Sequence, residues 1–145
     1  GGAMTGDGLL AGGAQTLDDV FAVFDELPAG DVDQMRGDWN GGLVPTGHPG
    51  EAQLDGLRWA GKQFRSANAV DPLICLNDAG ERFPNDVLGQ AQLRAVESRD
   101  VVTATMIYDR HPILDHFRAI DSDTLLGLMD RKGEAAPLAF MLRRG

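Results

Sequence analysis

Apolar residues in this chain recur at two different periods. Leu17, Val20, Phe21, Phe24 and Leu27 fall at i, i+3, i+4, i+7 and i+10, the spacing of one helix face. Thr16 stands where an N-cap belongs, Asp18 and Asp19 occupy the first turn that the helix dipole favours for acids, and Pro28 ends the run. The pattern predicts an amphipathic helix from Thr16, its stripe plugging one end of a sheet or barrel. A second, shorter helix is predicted over 50–61, with Leu54, Leu57 and Ala60 on one side, Gly61 as its C-cap, and a position over the barrel mouth.

Beyond it the period changes to two. Pro72 to Leu76, the turn Asn77-Asp78-Ala79-Gly80 and Glu81-Arg82-Phe83 read as a strand and hairpin. Ala91, Leu93 and Ala95 alternate with Gln92, Arg94 and Val96; after a turn over 97–100, Val102, Ala104, Met106 and Tyr108 alternate with Val101, Thr103, Thr105 and Ile107. Segments 116–121, 124–130 and 138–144 complete the series. Strands every eight to twelve residues joined by tight turns predict an antiparallel up-and-down meander, which avoids exposed edges by closing into a barrel. The expected class is mainly β: one barrel domain over 16–145, with an N-terminal helix and a short helix near the mouth. Residues 1–15, rich in Gly and Ala, are expected to be disordered, and Gly1-Gly2-Ala3 before Met4 reads as a remnant of tag removal.

Composition narrows the function classes. A net charge of -9 over 145 residues argues against a broad basic face for nucleic acid or an anionic bilayer. The single cysteine, Cys75, lies in the apolar run Leu73-Ile74-Cys75-Leu76, so no intrachain disulfide or thiolate metal cluster is expected, which fits a cytoplasmic protein. No stretch approaches the ~20 apolar residues of a membrane helix, so no integral membrane association is expected.

Candidate chemistry gathers on His48, Lys62, Tyr108, Asp109, His111, Asp115, His116 and Arg118. The His111 to His116 segment lacks the i, i+4 spacing of a helical zinc pair. In a strand His116 and Arg118 share one face and Asp115 and Phe117 the other. No Gly-x-Ser-x-Gly nucleophile elbow occurs. Acid-base chemistry by Asp109 or Asp115 with His116 is the enzymatic alternative, since a barrel pocket can desolvate a carboxylate and raise its pKa. Tyr108-Asp109 before His111-Pro112 also suits a plain tight turn.

The stretch Gly37-Asp38-Trp39-Asn40-Gly41, followed by Pro45-Thr46-Gly47-His48-Pro49, boxes one tryptophan between glycines, an arrangement suited to a closing barrel strand with the indole filling the space. Here the chain resembles the bacterial GXWXG-domain proteins, and the likeness continues through Trp59-Ala60-Gly61-Lys62-Gln63-Phe64 and Val70-Asp71-Pro72-Leu73. The later half is similar to the domain of unknown function that accompanies GXWXG, at Ala104-Thr105-Met106-Ile107-Tyr108-Asp109, Pro112 to Arg118 and Leu126-Gly127-Leu128-Met129-Asp130. The two parts divide the chain at about 21–80 and 88–144. The family name carries a signature and no activity. The architecture also resembles the calycin group of lipocalins, fatty-acid-binding proteins and nitrobindins, whose barrels enclose one ligand. That likeness implies an intracellular binding protein for a fatty acid or phospholipid, with Trp39, Phe64, Met106, Tyr108, Phe117 and Met129 lining the pocket. Lys62, His116 and Arg118 are then available for an anionic head group. No metal is expected. A haem held by His111 or His116 is the nitrobindin-like alternative, and a homodimer is an allowed assembly.

Overall fold

The computed structural model describes residues 15–145. The expectation of a disordered or tag-derived start therefore lies outside the described residues, apart from Gln15, whose amide donates to Pro45 O at 2.7 Å. Helix α1 (Leu17–Glu26) and a 3-10 turn (Asp33–Met35) precede strand β1 (Gly37–Leu43). Helix α2 (Gly50–Gly56) leads to β2 (Trp59–Ser66), β3 (Ala69–Leu76) and β4 (Arg82–Pro84). The chain ends in β5 (Ala91–Ser98), β6 (Val101–Tyr108), β7 (Ile113–Asp121), β8 (Thr124–Arg131) and β9 (Leu138–Arg144). The strands follow the order β2-β1-β9-β8-β7-β6-β5-β3, and β2 pairs with β3 to close an antiparallel barrel of eight strands. The short β4 hangs on β3 alone. The mainly β, calycin-like barrel with two helices predicted from the sequence is the observed architecture.

Alternation decides which side chains fill the lumen. Trp39, Phe64, Leu93, Ala104, Met106, Tyr108, Ile113, Phe117, Leu125, Leu138, Phe140 and Leu142 form one buried cluster with Met35. Two edge-to-face contacts, Phe64 with Phe117 at 6.2 Å and Phe117 with Phe140 at 5.7 Å between centroids, tie β2, β7 and β9 together inside it. A second cluster lies outside the barrel. There Val20, Val23 and Phe24 of α1 cover the outward-facing Leu126, Leu128, Ala139 and Met141 of β8 and β9.

The predicted α1 is present, with Thr16 accepting the Asp19 amide as its N-cap, but it does not plug the barrel end. It packs on the outer wall, because Leu126, Leu128, Ala139 and Met141 give β8 and β9 an apolar outer face that needs a cover. The plug is the connection after it. Strands β6 and β7 pair only from Thr105 to Ile107, and residues 28–30 enter the gap beyond. Ala119 N donates to Pro28 O and Ala104 N to Gly30 O, both at 3.0 Å. The Thr103 hydroxyl accepts from Gly30 N at 2.7 Å and donates to Phe117 O. The chain thus passes through the wall into the 3-10 turn, where Met35 is buried and its carbonyl accepts the Trp39 indole N–H at 2.7 Å.

Two further boundaries differ from those predicted. Gly61 is not a helix C-cap: α2 ends at Gly56, and Gly61 lies within β2 opposite Asn40. A Cβ on Gly61 would collide with the Trp39 carbonyl, so the glycine serves close strand approach. Strand β7 starts at Ile113, three residues before the predicted 116, because the His111-Pro112 bend is tight enough for Ile113 N to reach His111 O at 2.8 Å.

Candidate functional site at the barrel mouth

The hairpin turns and the 3-10 plug close one end of the barrel; the other is covered by α2 and the longer connections. Beneath α2 lies a partly open pocket of about 40 Å³, walled by Leu54, Leu57, Trp59, Leu73, Leu88, Ile113, Met129, Leu138 and Phe140, with Lys62, Tyr108 and Asp115 among its lining. No residue of α2 is fully buried; its one leucine, Leu54, is partly buried against the barrel's core cluster.

Lys62 projects inward as the cross-strand partner of Trp39. Asp115 projects inward from β7 between its partners Met106 and Met129. The ammonium lies 3.0 Å from Asp115 Oδ2 and donates to Pro72 O at 3.1 Å. It is also 5.1 Å from the Phe140 ring centroid, 5.5 Å from Trp59 and 5.9 Å from Tyr108, a distance range in which ring faces attract a cation. Both charged residues are at most 2% exposed. Neither Asp115 oxygen accepts a well-aligned hydrogen bond; Oδ2 has the ion pair, whereas Oδ1 has no partner among the described residues. Burial pushes the Asp115 carboxyl upward, against the lowering pull of Lys62. Burial, reinforced by Asp115, also pushes the Tyr108 phenol well above its ordinary value.

The rim is built from the Pro-Thr-Gly-His-Pro turn. Glu51 accepts the backbone amides of Thr46 and His48, at 2.9 and 3.1 Å. His48 Nδ1 accepts from Gly50 N at 2.9 Å, which leaves Nε2–H to donate toward Glu134, 2.8 Å away, and Ala136 O, 3.1 Å away. The signature also shapes this pocket: a Cβ on Gly41 would run into the Trp59 ring, so the glycine after Trp39 seats the second tryptophan. Trp59 is fixed there by its indole N–H to Gly61 O at 2.8 Å and by an edge contact with Phe140 at 5.6 Å.

The residues anticipated as one binding site are dispersed. Lys62, Tyr108 and Met129 line the pocket. Trp39, Phe64, Met106 and Phe117 belong to the packed lumen below it. His116 and Arg118 face outward, a correction to their expected approach to a head group. Arg118, 1% exposed, lies under α1 and donates to Phe24 O at 2.9 Å and Leu27 O at 3.0 Å. Its charge meets the carbonyl end of a helix that has no basic residue in its last turn. His116 Nδ1 is 3.0 Å from the Thr105 hydroxyl and Nε2 is 3.8 Å from exposed Asp130.

The acid-base group Asp109, Asp115 and His116 is not assembled: Asp109 is exposed after β6, and adjacent Asp115 and His116 leave opposite faces of β7. His116, one of the two histidines considered for a haem, lies outside the packed lumen; the other, His111, sits in the bend before β7. Trp59 and Glu134, which carry no sign of a site in the sequence pattern, line the pocket together with His48. The inward face Ile113, Asp115, Phe117 was legible as alternation once the strand began at 113.

Among the described residues no helix is long and apolar enough to cross a membrane, and no group of three or more His, Cys, Asp or Glu could hold a metal ion. No curated protein matches the sequence. A crystal structure of a protein from Thermomonospora curvata is 38% identical, covers 94% of this chain and 93% of its own, and superimposes with a TM-score of 0.90. Residues 22–80 match the family described as GXWXG protein, and residues 89–144 match the domain of unknown function DUF4334. The first segment supplies β1 to β4 and the second β5 to β9 of one closed barrel, and the chain belongs to the GXWXG family with its DUF4334 companion.

Proposed function

We propose that the protein binds a small hydrophobic ligand at the α2-covered mouth, its polar end against Lys62, Tyr108 and Asp115. The observation carrying this reading is the buried Lys62–Asp115 pair at the base of an apolar-walled pocket. Burying two charges costs several kcal/mol per ion before their attraction returns it, and hydrophobic residues of similar volume are often no less stable. A pair kept there with one carboxylate oxygen unsatisfied favours a ligand-facing role. A pocket of about 40 Å³ takes only a head group, since a cavity of about 150 Å³ is already needed for a benzene-sized molecule. The ligand body then lies at the opening of the pocket beside α2, and a fatty acid or phospholipid would leave most of its chain outside the barrel.

The two tryptophans give the test. Trp59 walls the pocket and Trp39 is buried with its N–H on Met35, so titration with small aromatic and short-chain aliphatic compounds should move the Trp59 indole resonance and leave Trp39 in place. Leu54→Trp, which fills the mouth from α2, should abolish the response. A panel that leaves Trp59 unmoved, or binds the filled variant equally well, would refute the reading.

A further inference from the structure

The pocket's basic groups already meet carboxylates. Lys62 faces Asp115 at 3.0 Å, His48 faces Glu134 at 2.8 Å, and Arg131 lies 3.9 Å from the other Glu134 oxygen. Lys62 and Arg131, the described Lys and Arg side chains lining the pocket, therefore each have a carboxylate within 4 Å, and His48, whose Nδ1 accepts from Gly50 N, donates to Glu134. An anionic head group entering here would have to displace Asp115 from Lys62 inside a region with almost no water contact, placing two negative charges beside one ammonium. Of the two Asp115 oxygens at the base, Oδ2 has the Lys62 ion pair and Oδ1, an acceptor, has no partner among the described residues. Only a hydrogen-bond donor satisfies it. The neighbouring Tyr108 phenol, held protonated by burial, supplies a donor for a ligand oxygen.

We infer that the ligand is uncharged and carries a hydroxyl or N–H group that donates to Asp115 Oδ1: an alcohol, phenol or amide, and not a carboxylate or phosphate. This specificity rests on the reading of the mouth pocket above and refines it. A buried carboxylate oxygen that loses its donor is penalised, and a site built around a hydroxyl discriminates strongly against an analogue lacking it.

Four probes of similar size separate the contributions: phenol donates and accepts, anisole only accepts, toluene does neither, and benzoate carries the anion. Dissociation constants come from the Trp59 indole resonance of the wild-type protein at neutral pH, with Trp39 as internal reference. Phenol should bind at least about tenfold more tightly than anisole or toluene, and benzoate should bind most weakly. Tyr108→Phe should retain the preference for phenol over anisole, because donation to Asp115 survives. Anisole or toluene binding as tightly as phenol would overturn the inference while leaving the pocket reading intact, as would benzoate binding tightest. If none of the four moves Trp59, the pocket reading fails and this inference with it.

Discussion

Arg118→Met tests the reassignment of the most buried guanidinium among the described residues. Methionine keeps much of the stem against Phe24, whose ring lies 4.6 Å from the guanidinium carbon, while removing the charge. Two short hydrogen bonds are lost, to Phe24 O and Leu27 O, together with a long one to Ser98 O at 3.5 Å that adds little to them. Hydrogen bonds to charged groups contribute about 1.5 to 3 kcal/mol each, so the gross loss is roughly 3 to 6 kcal/mol. Two effects reduce it. Phe24 O still accepts the Leu27 amide at 3.2 Å, and removing the guanidinium recovers its burial cost, which is substantial because no carboxylate touches it and its Nε has no partner. The net expectation is about 2 to 4 kcal/mol of destabilisation, measured by urea unfolding of wild type and variant under identical conditions. Ligand binding at the mouth should be unchanged at temperatures where the variant is folded. A loss below about 0.5 kcal/mol, the scale of ordinary surface substitutions, would refute the capping role. Weakened ligand binding without a stability loss would restore Arg118 to the binding site.

Three further perturbations address other parts of the molecule. Burial holds the His116 pKa below its ordinary 6.5, against the raising effects of Asp130 and Asp115; the unfolded chain then binds the proton more readily, so this residue's contribution to stability falls as pH drops through 6.5 toward the folded value. His116→Gln should show a smaller acid-induced drop in Tm than wild type, and an identical drop would argue against the buried, outward position. Gly41→Val should be strongly destabilising and should perturb the Trp59 indole resonance, because its Cβ would enter the Trp59 ring; thermal melting and the indole spectrum check both. Lys62→Met should cost about 3 to 5 kcal/mol by leaving Asp115 buried and unpaired, whereas Lys62→Met with Asp115→Leu should recover much of that loss in chemical denaturation.

The sequence by itself determined the barrel and most of its elements. Thr16 and the helical stripe defined the start of α1, the period-two runs from Ala91 onward defined the β5 to β9 meander, and the glycines around Trp39 indicated close strand contacts. These signals are local: capping, turn geometry and alternation are written in neighbouring residues. It also placed His116 and Arg118 on one strand face, opposite Asp115, but could not say which face was the lumen. Both faces of β7 are buried over 115–118, so hydrophobicity alone does not distinguish them. Only the tertiary structure decided that α1 covers the outer wall, turning the His116 and Arg118 face toward it and Asp115 toward Lys62. The pairing of Lys62 with Asp115 likewise depends on barrel closure, which brings β2 and β7 to face each other across the lumen without a shared hydrogen bond. No periodicity reports a contact between residues 53 positions apart; it follows from strand order, register and the need of a buried ammonium for a carboxylate.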